Sequence, residues 1–302
     1  YAFIGGGEGN KICQKHSVIA GGQINCINTS GCHAVIGGGC KNNICGKFAT
    51  IGSGQCNCAH CCYTTVAGGQ SNRVLDRFST VGGGQSNRVY SQSEYSVVAG
   101  GENNKSHCQH SFVGGGYLNT ACGNCSFIGG GRENLSSYIR SITVAGYQNK
   151  SRGIDSIVVG GYQNLASGIG DLVVGGFQNC ATGNKGFIGG GQKNCATKLY
   201  STVVNGKYNY SKGTFSFIGG GSLNQNLGPH SFIGGGTDNL IRCQSDCSSI
   251  IGGAANRASG DLSSVVGGTG NKAYGDHVFV GGGKINTATG ISSSVVGGCM
   301  NE

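Results

Sequence analysis

Seventeen cysteines and seven histidines are the side chains of this sequence best suited to chemistry. Nine of the cysteines fall between Cys13 and Cys62. Within that run, Cys56, Cys58, His60 and Cys61 offer the donors of a zinc site, but the C-x-C spacing lacks a second knuckle, so disulfides or free thiols are the expected state. Cys180 and Cys195 lie 15 residues apart, and Cys243 and Cys247 lie four apart. Both pairs are disulfide candidates, as is Cys122 with Cys125. Such cysteine usage suits an oxidising compartment and predicts an extracellular, cell-surface or virion-surface location, while the odd total leaves at least one thiol unpaired or joined to another chain.

Catalytic patterns are not visible. The 12 acidic residues are scattered, with no repeating pair for general acid and base roles. No nucleophile elbow, Walker loop or H-E-x-x-H occurs, so neither an enzyme nor a cofactor is expected. Glycine triplets suggest phosphate loops only weakly, because a short strand and not a helix follows each. The histidines fall mostly in turns.

The net charge of +9 is spread out. A row of bases (Lys11, Arg73, Arg88, Lys105, Lys150, Arg257, Lys272) reads first as a solubilising edge and second as an attraction for acidic glycans. It lacks the interleaved aromatics of a nucleic-acid platform, so no nucleic acid is expected.

The elements that must position these groups follow from an internal repeat. Asparagine recurs 20 times from Asn10 to Asn301, with sixteen intervals of 15 residues and three of 17. The longer units run from 25 to 42, 87 to 104 and 239 to 256. With 62 glycines, one proline and 11% charged residues, helical, collagenous and charge-rich disordered chains are excluded. No apolar run approaches the roughly 18 residues of a membrane span, so this segment is not expected to insert. One 15-residue unit buries too little surface to fold alone, but stacked copies can. The expected fold is therefore all-β, a single-coil parallel β-roll or β-solenoid of about 20 coils, forming one continuous repeat domain over 1–302 that is a segment of a longer fibre.

Each coil has a legible interior. Six residues before every Asn stands Ile or Val, with Thr143 the one exception. Three before it stands Gly in all 20 units, Gly116 and Gly161 among them, as expected of a positive-φ turn or a close backbone approach. Asparagines such as Asn119, Asn164 and Asn179 should point inward and form an amide ladder between coils about 4.8 Å apart. Sequons at Asn104, Asn134, Asn149 and Asn209 belong to this ladder, which leaves Asn28 and Asn124 as the sugar acceptors expected in a glycosylating compartment.

The residues seven and five before each Asn share the opposite face. Where the first is Phe, as at Phe112, Phe127 and Phe217, the second is Gly. Where the second is Val or Ile, as at Val159 and Val266, the first is never Phe. Constant volume on an outward apolar face implies that another chain covers it.

The unit seen nearly whole at Ile157 to Gly168 and Ser264 to Asn271 resembles the head repeat of YadA-type trimeric autotransporter adhesins, and similar repeats occur in phage and giant-virus fibres. The resemblance implies a left-handed parallel β-roll in a tight trimer, with two further copies as partners. The expected function is a structural and adhesive fibre module whose loops touch a host glycan or protein. Two alternatives stand beside it. A monomeric ice- or polysaccharide-binding solenoid would need a repeated outward array of Thr or aromatic residues, which the variable pairs Gln70-Ser71 and Tyr162-Gln163 do not supply. A tailspike-like depolymerase would need a carboxylate pair.

Overall fold

The structure, a computed structural model, describes all 302 residues. It contains no helix, and its strands all pair in parallel. No helix is therefore long and apolar enough to cross a membrane. The chain divides into two compact units, Tyr1–Ser151 and Arg152–Glu302. Each is a parallel β-solenoid whose successive coils stack in register with the 15-residue repeat.

In the first unit a representative coil has strands Phe112–Val113 and Thr120–Ala121. Phe112 pairs with Phe127 and Thr120 with Leu135, one coil on. Between the strands, two residues before Asn, a third β segment pairs Tyr117 with Arg132. The second unit repeats this with Leu172–Val173, Cys180–Ala181 and the Phe177 to Gln192 bridge. Two strands per coil are legible in the sequence; the third is not, because its side chains vary.

The interior row is almost wholly apolar. Ile19, Ile51, Val113, Val173 and Ile233 are fully buried, with Ala121, Ala166 and Ala258 facing them from the second strand. Thr143 keeps its place in this row because Ser136 on the facing strand donates to its hydroxyl at 3.0 Å, so the buried oxygen is satisfied.

Each coil turns three times through left-handed backbone: at the residue nine before Asn, at the glycine three before it, and at the residue just before it. His110, Gly116 and Leu118 show φ of 55°, 86° and 56°. Even Ile24 and Ile285 adopt φ of 55°, a conformation costly for β-branched residues and held here by the stacking of neighbouring coils.

A row of small residues lies eight before Asn, mostly serine. In the second unit Asp171 occupies this row, fully buried. Its carboxylate accepts N–H bonds from Gly168 at 2.6 Å and from Gly186 at 2.7 Å. Burial pushes its pKa above the usual carboxylate value, and these bonds only partly offset that. A raised carboxylate pKa means the folded state binds the proton more tightly, so this group's stability is present at low pH and is lost as pH rises through its folded pKa. Asp171→Ser, which restores the row, should raise Tm near pH 7, and the gain should shrink as pH falls through the carboxylate range. Calorimetry at several pH values checks this; a Tm difference that does not change with pH would show that Asp171 is not strained by its charge.

Candidate functional site

Three features combine chemistry with repetition: the asparagine row, the outer face and an aromatic column. The asparagines are fully or almost fully buried, from Asn25 to Asn286. The Nδ2 of Asn119 donates to the carbonyls of Gly115 and Gly131, both at 2.8 Å, and its Oδ1 accepts the N–H of Asn134 at 3.0 Å. Asn164 and Asn179 repeat this geometry in the second unit. The ladder therefore differs from the expected amide-to-amide form. Its partners are backbone groups, because each side-chain amide lies within reach of two turn carbonyls, one of its own coil and one of the next. Direct amide contact is added only in places, as from Asn224 to Asn209 at 3.1 Å. The sequons at Asn104, Asn134, Asn149 and Asn209 share this burial, whereas Asn124 is exposed and Asn28 half-buried.

Gly116 and Gly161 belong to the same device. The Gly131 carbonyl that accepts from Asn119 also accepts the N–H of Tyr117 at 2.9 Å. An added Cβ on Gly116 would lie inside that oxygen's envelope and 2.7 Å from the Asn119 amide nitrogen.

On the outer face the Phe and Gly reciprocity has a local origin. The Phe112 ring folds back over Gly114, where a Cβ would lie 3.4 Å from Cε1, and Phe217 does the same over Gly219 at 3.5 Å. Rings also stack between coils, Phe112 on Phe127 and Phe217 on Phe232, each pair at 5.3 Å. The face nonetheless stays open to solvent. Phe127 is 36% exposed, Phe232 42%, Val159 40% and Ile251 54%.

The aromatic column escaped the sequence reading. Nine residues before successive asparagines stand His16, His33, Phe48, Tyr63, Phe78, Tyr95 and His110, whose rings stack at 4.8 to 5.2 Å. Phe48, Tyr63 and Tyr95 are about half exposed. A shorter column, Tyr200, Phe215 and His230, stands in the second unit. Alignment of the repeat at this position shows the column, but His, Phe and Tyr share no single letter to reveal it.

The cysteines behave differently from expectation. All 17 are free thiols. Cys180 and Cys195 are direct neighbours in register on parallel strands. Parallel side chains at the strand spacing keep their Cβ atoms about 4.8 Å apart, beyond the roughly 3.8 Å a disulfide favours. The two neighbouring sulfurs instead share one proton unequally, which lowers Cys195 to about 7 and pushes Cys180 up.

The zinc candidates Cys56, Cys58, His60 and Cys61 are not gathered. Cys56 sits exposed in a left-handed turn, Cys61 donates to the Leu75 carbonyl at 3.2 Å, and Cys58 is half-buried, with burial pushing its thiol pKa up. Cys243 and Cys247 are both exposed, and Cys247 turns to the Asp246 carboxylate at 3.5 Å. One metal-compatible set of three donors does form, His230, Asp246 and Cys247.

Concavities are shallow: about 200 Å³ beside Arg73 and Arg88, and about 440 Å³ along Tyr1, Phe3 and Val18. No known protein family matches the chain, and no curated protein shows significant similarity to it.

Proposed function

We propose that the chain is a structural and adhesive module of an extracellular or virion-surface fibre. It acts without catalysis, through three copies that pack their outer faces together while turns and insertion loops meet a host glycan or protein. The observation that carries this reading is the outward apolar stripe, with Phe127, Val159, Phe232 and Phe279 each about two-fifths exposed in the single chain. A stripe repeated along many coils is an aggregation hazard unless a partner covers it. Resemblance to trimeric adhesin heads supports three copies and a left-handed coil. Static light scattering on the purified chain should report three chains, and a stable soluble monomer would remove the argument.

A second reading is favoured by the aromatic column. Seven rings at a regular spacing of about 5 Å form the repeated outward array that a polysaccharide-binding solenoid needs. Replacing Phe48 and Tyr63 together by Ala should abolish retention on a polysaccharide column if this column is the contact. Unchanged retention would assign adhesion to the loops.

A further inference from the structure

The geometry points to a divalent-cation site, of the zinc class, formed by His230, Asp246 and Cys247. The unit from 239 to 256 is two residues longer than the repeat, and the added length lies before the strand Ser249–Ile250. Coil stacking sets Cys247, nine residues before Asn256, beside His230, nine before Asn239, with Asp246 next to it, and the Cys247 N–H donates to the Pro229 carbonyl at 3.2 Å. His230 Nδ1 lies 3.0 Å from Asp246 Oδ1, and Cys247 Sγ lies 3.5 Å from the same oxygen. All three donors fall within 4.8 Å of one another.

Tetrahedral zinc, with bonds of about 2.0 Å to N and O and 2.3 Å to S, requires edges of roughly 3.3 Å between N and O and 3.6 Å between S and O. The two edges to Asp246 are close to these, and the third, between His230 and Cys247, lies within 4.8 Å, so side-chain rotation must draw the thiol toward the imidazole to admit the ion. Imidazole, carboxylate and thiolate form a mixed donor set selective for zinc over magnesium or calcium. As a bare ion pair between half-exposed groups, His230 with Asp246 would add little. Asp261 stands one coil on, its carboxylate accepting the Asp246 N–H at 2.8 Å, and it adds negative charge beside the set. Binding displaces the Cys247 thiol proton to solvent, leaving zinc balanced by one thiolate and one carboxylate, with a fourth vertex open to water. The ion would staple two coils where the insertion interrupts the period.

The test uses the full chain, reduced, with Co²⁺ as the spectroscopic probe. Titration of the parent and of Cys247→Ser, His230→Ala and Asp246→Asn should show each variant losing the same single cobalt equivalent with a thiolate charge-transfer band. The double variant Cys56→Ser, Cys61→Ser should keep it. Zn²⁺ should raise the Tm of the parent and not of the three variants. Circular dichroism confirms that these surface variants fold. If His230→Ala and Asp246→Asn retain the band that Cys247→Ser loses, the metal sits on a lone thiol and the site is overturned. It is equally overturned if all variants match the parent.

Discussion

Asn119→Asp is expected to lower the stability of the first unit by roughly 3 to 5 kcal/mol at neutral pH, near the upper end for one substitution. The two side chains have nearly the same shape, so the effect isolates hydrogen-bond direction. Asn119 donates to the Gly115 and Gly131 carbonyls at 2.8 Å. A carboxylate would point a second oxygen, with its charge, at both carbonyls in a fully buried setting. The other oxygen could still accept the Asn134 N–H, so the loss falls on the donor side alone. Protonation would restore one donor, and the variant's deficit should narrow as pH falls. Thermal unfolding followed by circular dichroism at pH 4 and pH 7 reads both effects. A Tm equal to the parent's would mean that the amide donors do not hold the coils, and the absence of Asp from all 20 positions would need another cause.

That absence was the strongest clue available in the sequence. The interior Ile and Val row and the glycine three before Asn were legible because each position tolerates one kind of side chain. Partners were harder to read. A column of identical residues shows which side chains stack, but not that the Asn119 amide donates to the Gly131 carbonyl of the next coil. The third β segment at Tyr117 or Phe177 was hidden because its side chains face outward and vary, while backbone groups alone make its bridges. The aromatic column was hidden by its setting. Phe48 and Tyr63 have φ of 55° and 59°, where sequence rules expect Gly or Asn. The metal-compatible set was missed because its members are 16 and 17 residues apart, an offset that only the insertion creates. Nearness along the chain directed attention instead to Cys56 through Cys61, which face different ways.

Gly116→Ala should prove at least as damaging as loss of an amide, by roughly 3 to 5 kcal/mol, although it adds a single methyl group. Two penalties coincide at this position. The backbone φ of 86° lies beyond the left-handed range that side-chain-bearing residues tolerate, so strain arises even in open space. Space is also lacking, since the new Cβ would enter the envelope of the Gly131 carbonyl oxygen. That oxygen cannot retreat without weakening two bonds, from Asn119 at 2.8 Å and from the Tyr117 N–H at 2.9 Å. The comparison residue is Gly130, where an added Cβ meets nothing within 4 Å and φ is not left-handed. Gly130→Ala should therefore be close to neutral in the same unfolding experiment. In a stack where each coil touches only its neighbours, the defect should also be local. Hydrogen exchange in Gly116→Ala should speed up in the coils on either side of Gly116 and remain slow around Ile19 and Ile36. Equal losses for the two alanine variants would show that backbone flexibility, and not the joint demand of φ and the shared carbonyl, places glycine three residues before every asparagine.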